Sequence, residues 1–444
     1  MSYYSKITRR IATSVVFKNA SWLIGEKLLS MLLVLLINIM MARHLGPESF
    51  GLLSYLLAIV ALMAPFCALG LNGIITRELV NDVKKQNVIM STALTFRFLG
   101  GVFAVAFLFL IYMLGWLAKL ETSFLWLAIL SLVNIFTALH VIDFWFQAKV
   151  LSRYIVKARF FSIFTASCLK AVLVYNGAEL GAFVWATAFE SLLISLSFLF
   201  IYIYKKEIFK IKDINWSYGF SLLQQSKWLV LSGVATIVYL KIDQLMLAEM
   251  VSVTEVGIYS VASRVSEVWY FFPTAVVASF FPLLLTLKKE NEKKYKFKLQ
   301  QLCDCLFIFA LALAITLTLI SDGLIILLFG PQYSGAGVIL SLHIWAGVFV
   351  FMRALLSKWL LAEHLVFFSF VTHSIGALTN VGLNLWLIPQ YHGVGAAIAT
   401  VVSYAFASYV VLFFHRSTWP MAVIMSKSLC FPWRIIFAKL KSPA

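Results

Sequence analysis

The chain has 444 residues, 62% of them hydrophobic and 12% charged, with a formal net charge of +17. A soluble domain carries about 25% charged residues, so this composition, with a mean hydropathy of +0.93, excludes a soluble globular protein and requires a polytopic membrane protein. It also excludes nucleic-acid binding, because the basic residues fall between apolar runs and form no single patch.

From the start of the chain, the basic residues Lys6, Arg9 and Arg10 precede an apolar run through Met41. That run is too long for the core of a signal peptide and no small-residue cleavage pattern follows it, so the first helix is expected to stay as an anchor. Windows of about 20 apolar residues predict twelve spans, near 17–41, 51–75, 88–116, 123–146, 154–175, 180–204, 219–248, 256–287, 299–320, 335–360, 366–388 and 394–415. The fold class is therefore all-α and membrane-integral. Loop charge alternates along this series. One set holds Lys6, Arg9, Arg10 and Lys18, then Arg77, Lys84 and Lys85, then Lys149, Arg153, Lys157 and Arg159, then Lys205, Lys206, Lys210 and Lys212. It continues through Lys288–Lys298 and Lys358 to Arg416, Lys427, Arg434, Lys439 and Lys441, whereas the opposite set has only Arg43 and Lys119. By the positive-inside rule both termini face the cytoplasm, which needs an even number of spans.

No connection is long enough for a soluble domain. The expected division is a six-helix lobe over 1–210, a second over 211–415, and a basic tail over 416–444. The tail mixes apolar and basic residues in WPMAVIMSKSLCFPWRIIFAKLK, which suits an amphipathic segment on an anionic membrane surface or a disordered tail. The five cysteines, Cys67, Cys168, Cys303, Cys305 and Cys430, are odd in number and mostly lie in apolar spans, so reduced structural thiols are expected.

An internal repeat relates 17–55 to 223–261. Without gaps it sets Trp22 on Trp228, Met40 on Met246, Ala42 on Ala248, Gly51 on Gly257 and Ser54 on Ser260. Six spans separate the copies, so the repeat is parallel, about an axis along the membrane normal, an arrangement common among transporters. Two turn motifs are also legible. Gly46-Pro47-Glu48 joins the first two spans. Pro389 stops the eleventh, and Gly393, Gly395, Ala396, Ala397 and Ala399 give the twelfth a small-residue face.

At MARHLGPESFG the chain resembles the polysaccharide-transport branch of the MOP exporter superfamily, the Wzx-type flippases. The segments YLKIDQLMLAEMVSVTEVGIYSVASRV (239–265) and NVGLNLWLIPQYHGVGAAIAT (380–400) agree, and so does the number of spans. The resemblance implies two pseudo-symmetric six-helix lobes around a central cavity that opens alternately to the two sides. It implies an undecaprenyl-diphosphate-linked O-antigen unit as cargo, the bacterial inner membrane as location, and membrane lipids as surroundings. A polymerase, a chain-length regulator and a coupling proton or sodium ion are further partners it suggests.

The charges inside the spans supply the candidate site. A charge at the bilayer centre costs about 2.5–3.5 kcal/mol on insertion scales, so such residues should face a bundle interior or a wet cavity. Lys27, Arg97, Lys170, Lys241, Arg264 and Arg353 lie in the spans with few carboxylates beside them. Cations are the groups that replace the water a diphosphate sheds, Arg bidentately, so these six are the expected cargo contacts. The competing reading is self-neutralisation by Lys241–Asp243 and Arg264–Glu267 pairs. Glu26, Glu190, Asp243 and Glu267, with Asp143, are the possible proton or sodium carriers. Lys227 is expected to snorkel to the interface. His343, His373 and His392 have no metal-ligand spacing, and no glycine-rich phosphate loop precedes a lysine. Neither a metal, nor a cofactor, nor an ATPase motor is expected. The rival functions are a cation-coupled multidrug exporter of the same superfamily, whose cavity should be acidic or neutral, and a membrane enzyme such as a polysaccharide polymerase or acyltransferase, which needs catalytic residues on sizeable outer loops.

Overall fold

The computed structural model describes residues 3–115 and 124–431, and among them there is no strand. Lys119 and the tail residues Arg434, Lys439 and Lys441 lie outside the described residues, as do the side chains of Lys6, Arg9, Arg10 and Lys18. The chain divides into two compact units, Met1–Ile237 and Val238–Ala444. The division falls inside a helix, not at the loop near residue 210.

The first unit is built from α1 (Tyr3–Leu62), the short α2 (Ala64–Ala68), α3 (Asn72–Asn81), α4 (Gln86–Met113), α5 (Phe124–Phe136), α6 (Val141–Ala148), α7 (Arg153–Tyr175), α8 (Leu180–Tyr204) and the first part of α9 (Trp216–Met250). Its core joins Leu71 and Ile75 of this helical array to Ala93, Ile142, Phe146, Ile155 and Phe198. The second unit holds α10 (Val253–Glu267), α11 (Phe271–Glu290), α12 (Glu292–Phe329), α13 (Ala336–His343), α14 (Ala346–Ala362), α15 (Val366–Ser408) and α16 (Trp419–Leu429). Its core centres on Leu306, Ala314, Phe351, Met352, Leu355 and Leu412. Lipid offers helices no hydrophobic drive to associate, so these interiors are held by close packing and internal hydrogen bonds.

Among the described residues ten helical stretches are long and apolar enough to cross a membrane. Two of them, Gly25–Asn81 and Phe367–Phe414, run 57 and 48 residues, twice what one crossing needs at 1.5 Å per residue. In each, one long helix folds over at a single non-helical residue. In α1 the break is at Gly46, with φ 74° and ψ 172°, a backbone state glycine adopts without steric cost, and Pro47 follows it. In α15 it is at His392, with φ 52° and ψ −130°, three residues after Pro389. Twelve crossings therefore fit in ten stretches, as the sequence predicts. The repeat alignment sets Gly46 on Ser252, and Ser252 is the extended residue (φ −166°, ψ 160°) that caps α10 after α9 ends. Both copies thus break at one register position.

The small-residue face of α15 is also explained. Ala396, Ala397 and Ala399 are fully buried. A Cβ on Gly395 would sit 2.3 Å from the Leu387 carbonyl oxygen, so only glycine permits the chain to fold back this closely. In the described part of the tail, α16 buries Met421, Ala422 and Met425 in the core of the second unit. Its Ser428 Oγ donates to Asp304 Oδ1 of α12 at 2.7 Å, and Gln300 Nε2 donates to the same oxygen at 2.8 Å.

Candidate functional site

The predicted charges fall into separate groups. In the first unit Arg159 of α7 was expected in a loop, yet it lies within the helix, one side chain linking three segments. Its Nη2 meets Asp143 Oδ2 at 2.5 Å and its Nη1 lies 3.6 Å from Glu26 Oε2, while Ser30 donates to Glu26 Oε1 at 3.0 Å. Two of the candidate ion carriers, Glu26 and Asp143, thereby share one guanidinium. Lys170 and Glu190, read from sequence as a cargo contact and an ion carrier, form one ion pair of 2.5 Å between α7 and α8. Lys27 is exposed on α1.

Arg97 of α4 behaves differently. It is 4% exposed, donating to Asn72 Oδ1 at 3.1 Å and to the Thr137 carbonyl at 3.2 Å, with the Phe144 ring 5.5 Å away. Among the described residues no carboxylate lies within ion-pair distance of it. Arg353 of α14 in the second unit repeats the pattern, donating to the Ala407 carbonyl at 2.8 Å and to Thr372 Oγ1 at 3.0 Å while 8% exposed. Lys241 of α9 is half-buried and has no ion pair among the described residues. Arg264 of α10 is half-buried within electrostatic reach of Glu267 and Tyr333.

Lys241 and Asp243 do not neutralise each other, because residues two apart on a helix point to different sides. Asp243 is 3% exposed and is held by neutral groups instead. Tyr259 Oη donates to Oδ2 at 2.7 Å, Asn384 Nδ2 donates to Oδ1 at 2.6 Å, and Thr400 Oγ1 lies 2.6 Å from Oδ2. Asn384 Nδ2 also reaches Asn380 Oδ1 at 3.2 Å, and Asn380 in turn points to Ser403. The Asn384 carbonyl oxygen is buried with no partner. Three helices, α9, α10 and α15, thus surround one carboxylate with hydroxyls and amides in an otherwise apolar interior. A single carboxylate amid neutral oxygens suits a monovalent cation or a proton. A divalent ion wants more charge, and among the described residues there is no cluster of three metal-ligating side chains.

The sequence alone does not single out Asn380, Asn384 and Thr400, which lie in the segment that carries the family resemblance. The available signal was the spacing: two asparagines at i and i+4 within an apolar span share one face and need a polar partner there. His343 was likewise set aside as scattered. It is 2% exposed with Nδ1 unpartnered, 5.8 Å from the Tyr259 ring and within electrostatic reach of Glu267, Asp243 and Lys241.

Comparison with known proteins follows the same outline. The chain is similar to AglR, a probable flippase of Haloferax volcanii, with 26% identity over 253 residues that make up 55% of this chain and 51% of the relative. It is similar also to Agl15 of that organism, a probable low-salt glycan biosynthesis flippase, with 24% identity over 186 residues, 42% of this chain and 39% of the relative. The matched part thus spans about half the length of these curated relatives, or less. Among solved structures, the lipid II flippase MurJ in an inward closed conformation superposes with a TM-score of 0.67 at 18% identity, covering 95% of this chain and 94% of that one. A multidrug resistance MATE family transporter of the MOP superfamily, inward-facing, gives a TM-score of 0.68 at 13% identity, covering 89% of this chain and 95% of that one. The fold is therefore the one that these two proteins share. Residues 16–288, more than half of the chain, match the model for polysaccharide biosynthesis proteins, and the chain belongs to that family.

Proposed function

We propose that the protein is a flippase for a lipid-linked oligosaccharide, carrying it from the cytoplasmic to the outer leaflet of the bacterial inner membrane by alternating access. The finer reading is an undecaprenyl-diphosphate-linked O-antigen unit. One observation carries this: the helix interiors keep positive charge that is not neutralised in place, on Arg97, Lys241 and Arg353, whereas Lys170 and Arg159 have carboxylates. Cations held in apolar spans at a cost of several kcal/mol suit an anionic headgroup that must exchange water for protein donors. The isoprenoid tail stays in the bilayer, since dragging it through water would cost about 0.8 kcal/mol per methylene. Lys27, Arg264 and Lys170 complete the proposed cargo set. The two curated relatives, both described as flippases, support the same reading.

Transport draws on an ion gradient or runs downhill, and Asp243 is the residue proposed to carry the coupling ion. A bound sodium ion would replace the hydrogens that Tyr259, Thr400 and Asn384 now direct at the carboxylate, and turning the Asn384 amide over would bring its unpartnered oxygen to that ion. Glu26, Glu190 and Glu267 are weaker carriers, the first two because Arg159 and Lys170 already hold them.

A multidrug exporter is the second reading, favoured by the MATE superposition. It calls for an interior that attracts organic cations, which unpaired Arg and Lys would repel. The test is complementation in a strain lacking its own flippase, scored by surface glycan. Lys241→Ala and Arg264→Ala should each lower surface glycan at least tenfold at normal membrane levels, and Lys241→Arg and Arg264→Lys should restore much of it. Full activity in both Ala variants would remove these residues from the cargo path.

A further inference from the structure

The first unit has a groove apart from the Asp243 cluster and from the cations Arg97, Lys241 and Arg353. It is a half-open cavity of about 450 Å³ between α1 and α7, walled by Trp22, Gly25 and Leu29 on one side and Val156 and Phe160 on the other. On α1 the lining positions recur at i, i+3 and i+7, so they form one helix face. Gly25 borders open space: a Cβ built there meets nothing within 4 Å among the described residues. Trp22 and Leu29 are 42% and 57% exposed, so the groove opens on the surface of the first unit along an apolar stretch long enough to cross a bilayer.

Its chemistry is sharply divided. The one acidic side chain in the lining, Glu26, is already satisfied by Ser30 and Arg159, which leaves the groove apolar. Its rim is cationic. Lys157 is exposed, with Nζ 5.9 Å from the Trp22 ring, and Arg153 stands one turn earlier on the same face of α7. Neither has an ion pair with a carboxylate among the described residues. Beside them the Tyr154 ring lies under the Arg153 guanidinium at 4.9 Å and under one further positive group, Lys205 Nζ at 4.1 Å. A dry slot for hydrocarbon beneath free cations fits an amphiphile with an alkyl chain and an anionic head. The surrounding bilayer supplies such a molecule at high local concentration, and basic residues at the end of a membrane helix attract it.

We propose that this groove binds one anionic phospholipid, with an acyl chain along Trp22, Gly25 and Phe160 and its phosphate at Arg153 and Lys157. The bound lipid would fix α1 against α7. The experiment is native mass spectrometry of the purified full-length protein, titrated with dioleoyl-phosphatidylglycerol and, in parallel, with dioleoyl-phosphatidylcholine. One phosphatidylglycerol should bind about tenfold more tightly than phosphatidylcholine. The double variant Arg153→Gln/Lys157→Gln should lose that preference and keep the phosphatidylcholine affinity, and Gly25→Leu should weaken both lipids by filling the slot. If Gly25→Leu does not fold, the double variant decides alone, since both its positions are exposed. A preference unchanged in the double variant, or absent from the wild type, overturns the proposal. Displacement of the bound lipid by a polyprenyl diphosphate at equal concentration would assign the slot to the cargo's tail and overturn it as well.

Discussion

Asp243 and Arg353 are the residues on which the second unit turns, and neither is paired with an opposite charge. Asp243→Asn keeps shape and most hydrogen bonds but removes the charge. It is expected to abolish the ion dependence of transport and lower the rate at least tenfold, as flux measured in vesicles with and without a sodium or proton gradient. Unchanged gradient dependence would dismiss Asp243 as the coupling group. Arg353 makes a different kind of claim. Removing its guanidinium strands the buried Ala407 carbonyl, while the Thr372 hydroxyl keeps its bond to the Ser369 carbonyl, and an unmet buried polar group costs about 1–3 kcal/mol. Arg353→Met should therefore lower the melting temperature in detergent by several degrees, with Arg353→Lys in between. Sequence showed that these charges lie inside apolar spans and so need an explanation. It could not show their partners, because partners such as Asn384 and Thr400 are brought to Asp243 across 141 and 157 positions of chain. For the same reason the ion pair of Lys170 and Glu190, twenty residues apart on different helices, was not legible in the sequence.

The helices and their breaks were the most legible level. Long apolar windows marked the spans, and glycine and proline marked where two of them fold over. The position of the α15 break was less clear, because Pro389 lets the helix continue to His392 before the backbone turns. These two breaks predict opposite responses. Gly46 has φ 74°, so Gly46→Val should destabilise by about 1–3 kcal/mol. His392 holds φ 52° with a side chain, so His392→Gly should relieve strain and raise the melting temperature slightly. Thermal unfolding of the two variants side by side checks both signs. The packing of α16 was not legible in the sequence, for a physical reason. The alternation of apolar and basic residues in Trp419–Leu429 suits a membrane surface as well as a protein groove, and only the buried Asp304–Ser428 contact chooses the groove. Ser428→Ala should loosen α16, seen as faster proteolysis between Ser408 and Trp419 with the rest of the chain intact.

For the molecule as a whole, composition fixed the class, and the alternation of loop charge supplies a topology that can be tested directly. Single cysteines placed in the basic loops near residues 85, 206 and 293 should all be labelled from the cytoplasmic side, and those near residues 44 and 178 from the other. The function asks more than topology, since flippases and drug exporters share this fold. What separates them is the sign of the charge the interior is built to receive. The direct measurement is to reconstitute the protein in vesicles and follow two cargoes, a polyprenyl-diphosphate-linked oligosaccharide whose glycan is trimmed by an external glycosidase on crossing, and a fluorescent organic cation. Protein-dependent crossing of the oligosaccharide that falls with Lys241→Ala, and no movement of the dye, is the predicted result. Movement of the dye with no crossing of the oligosaccharide would contradict it.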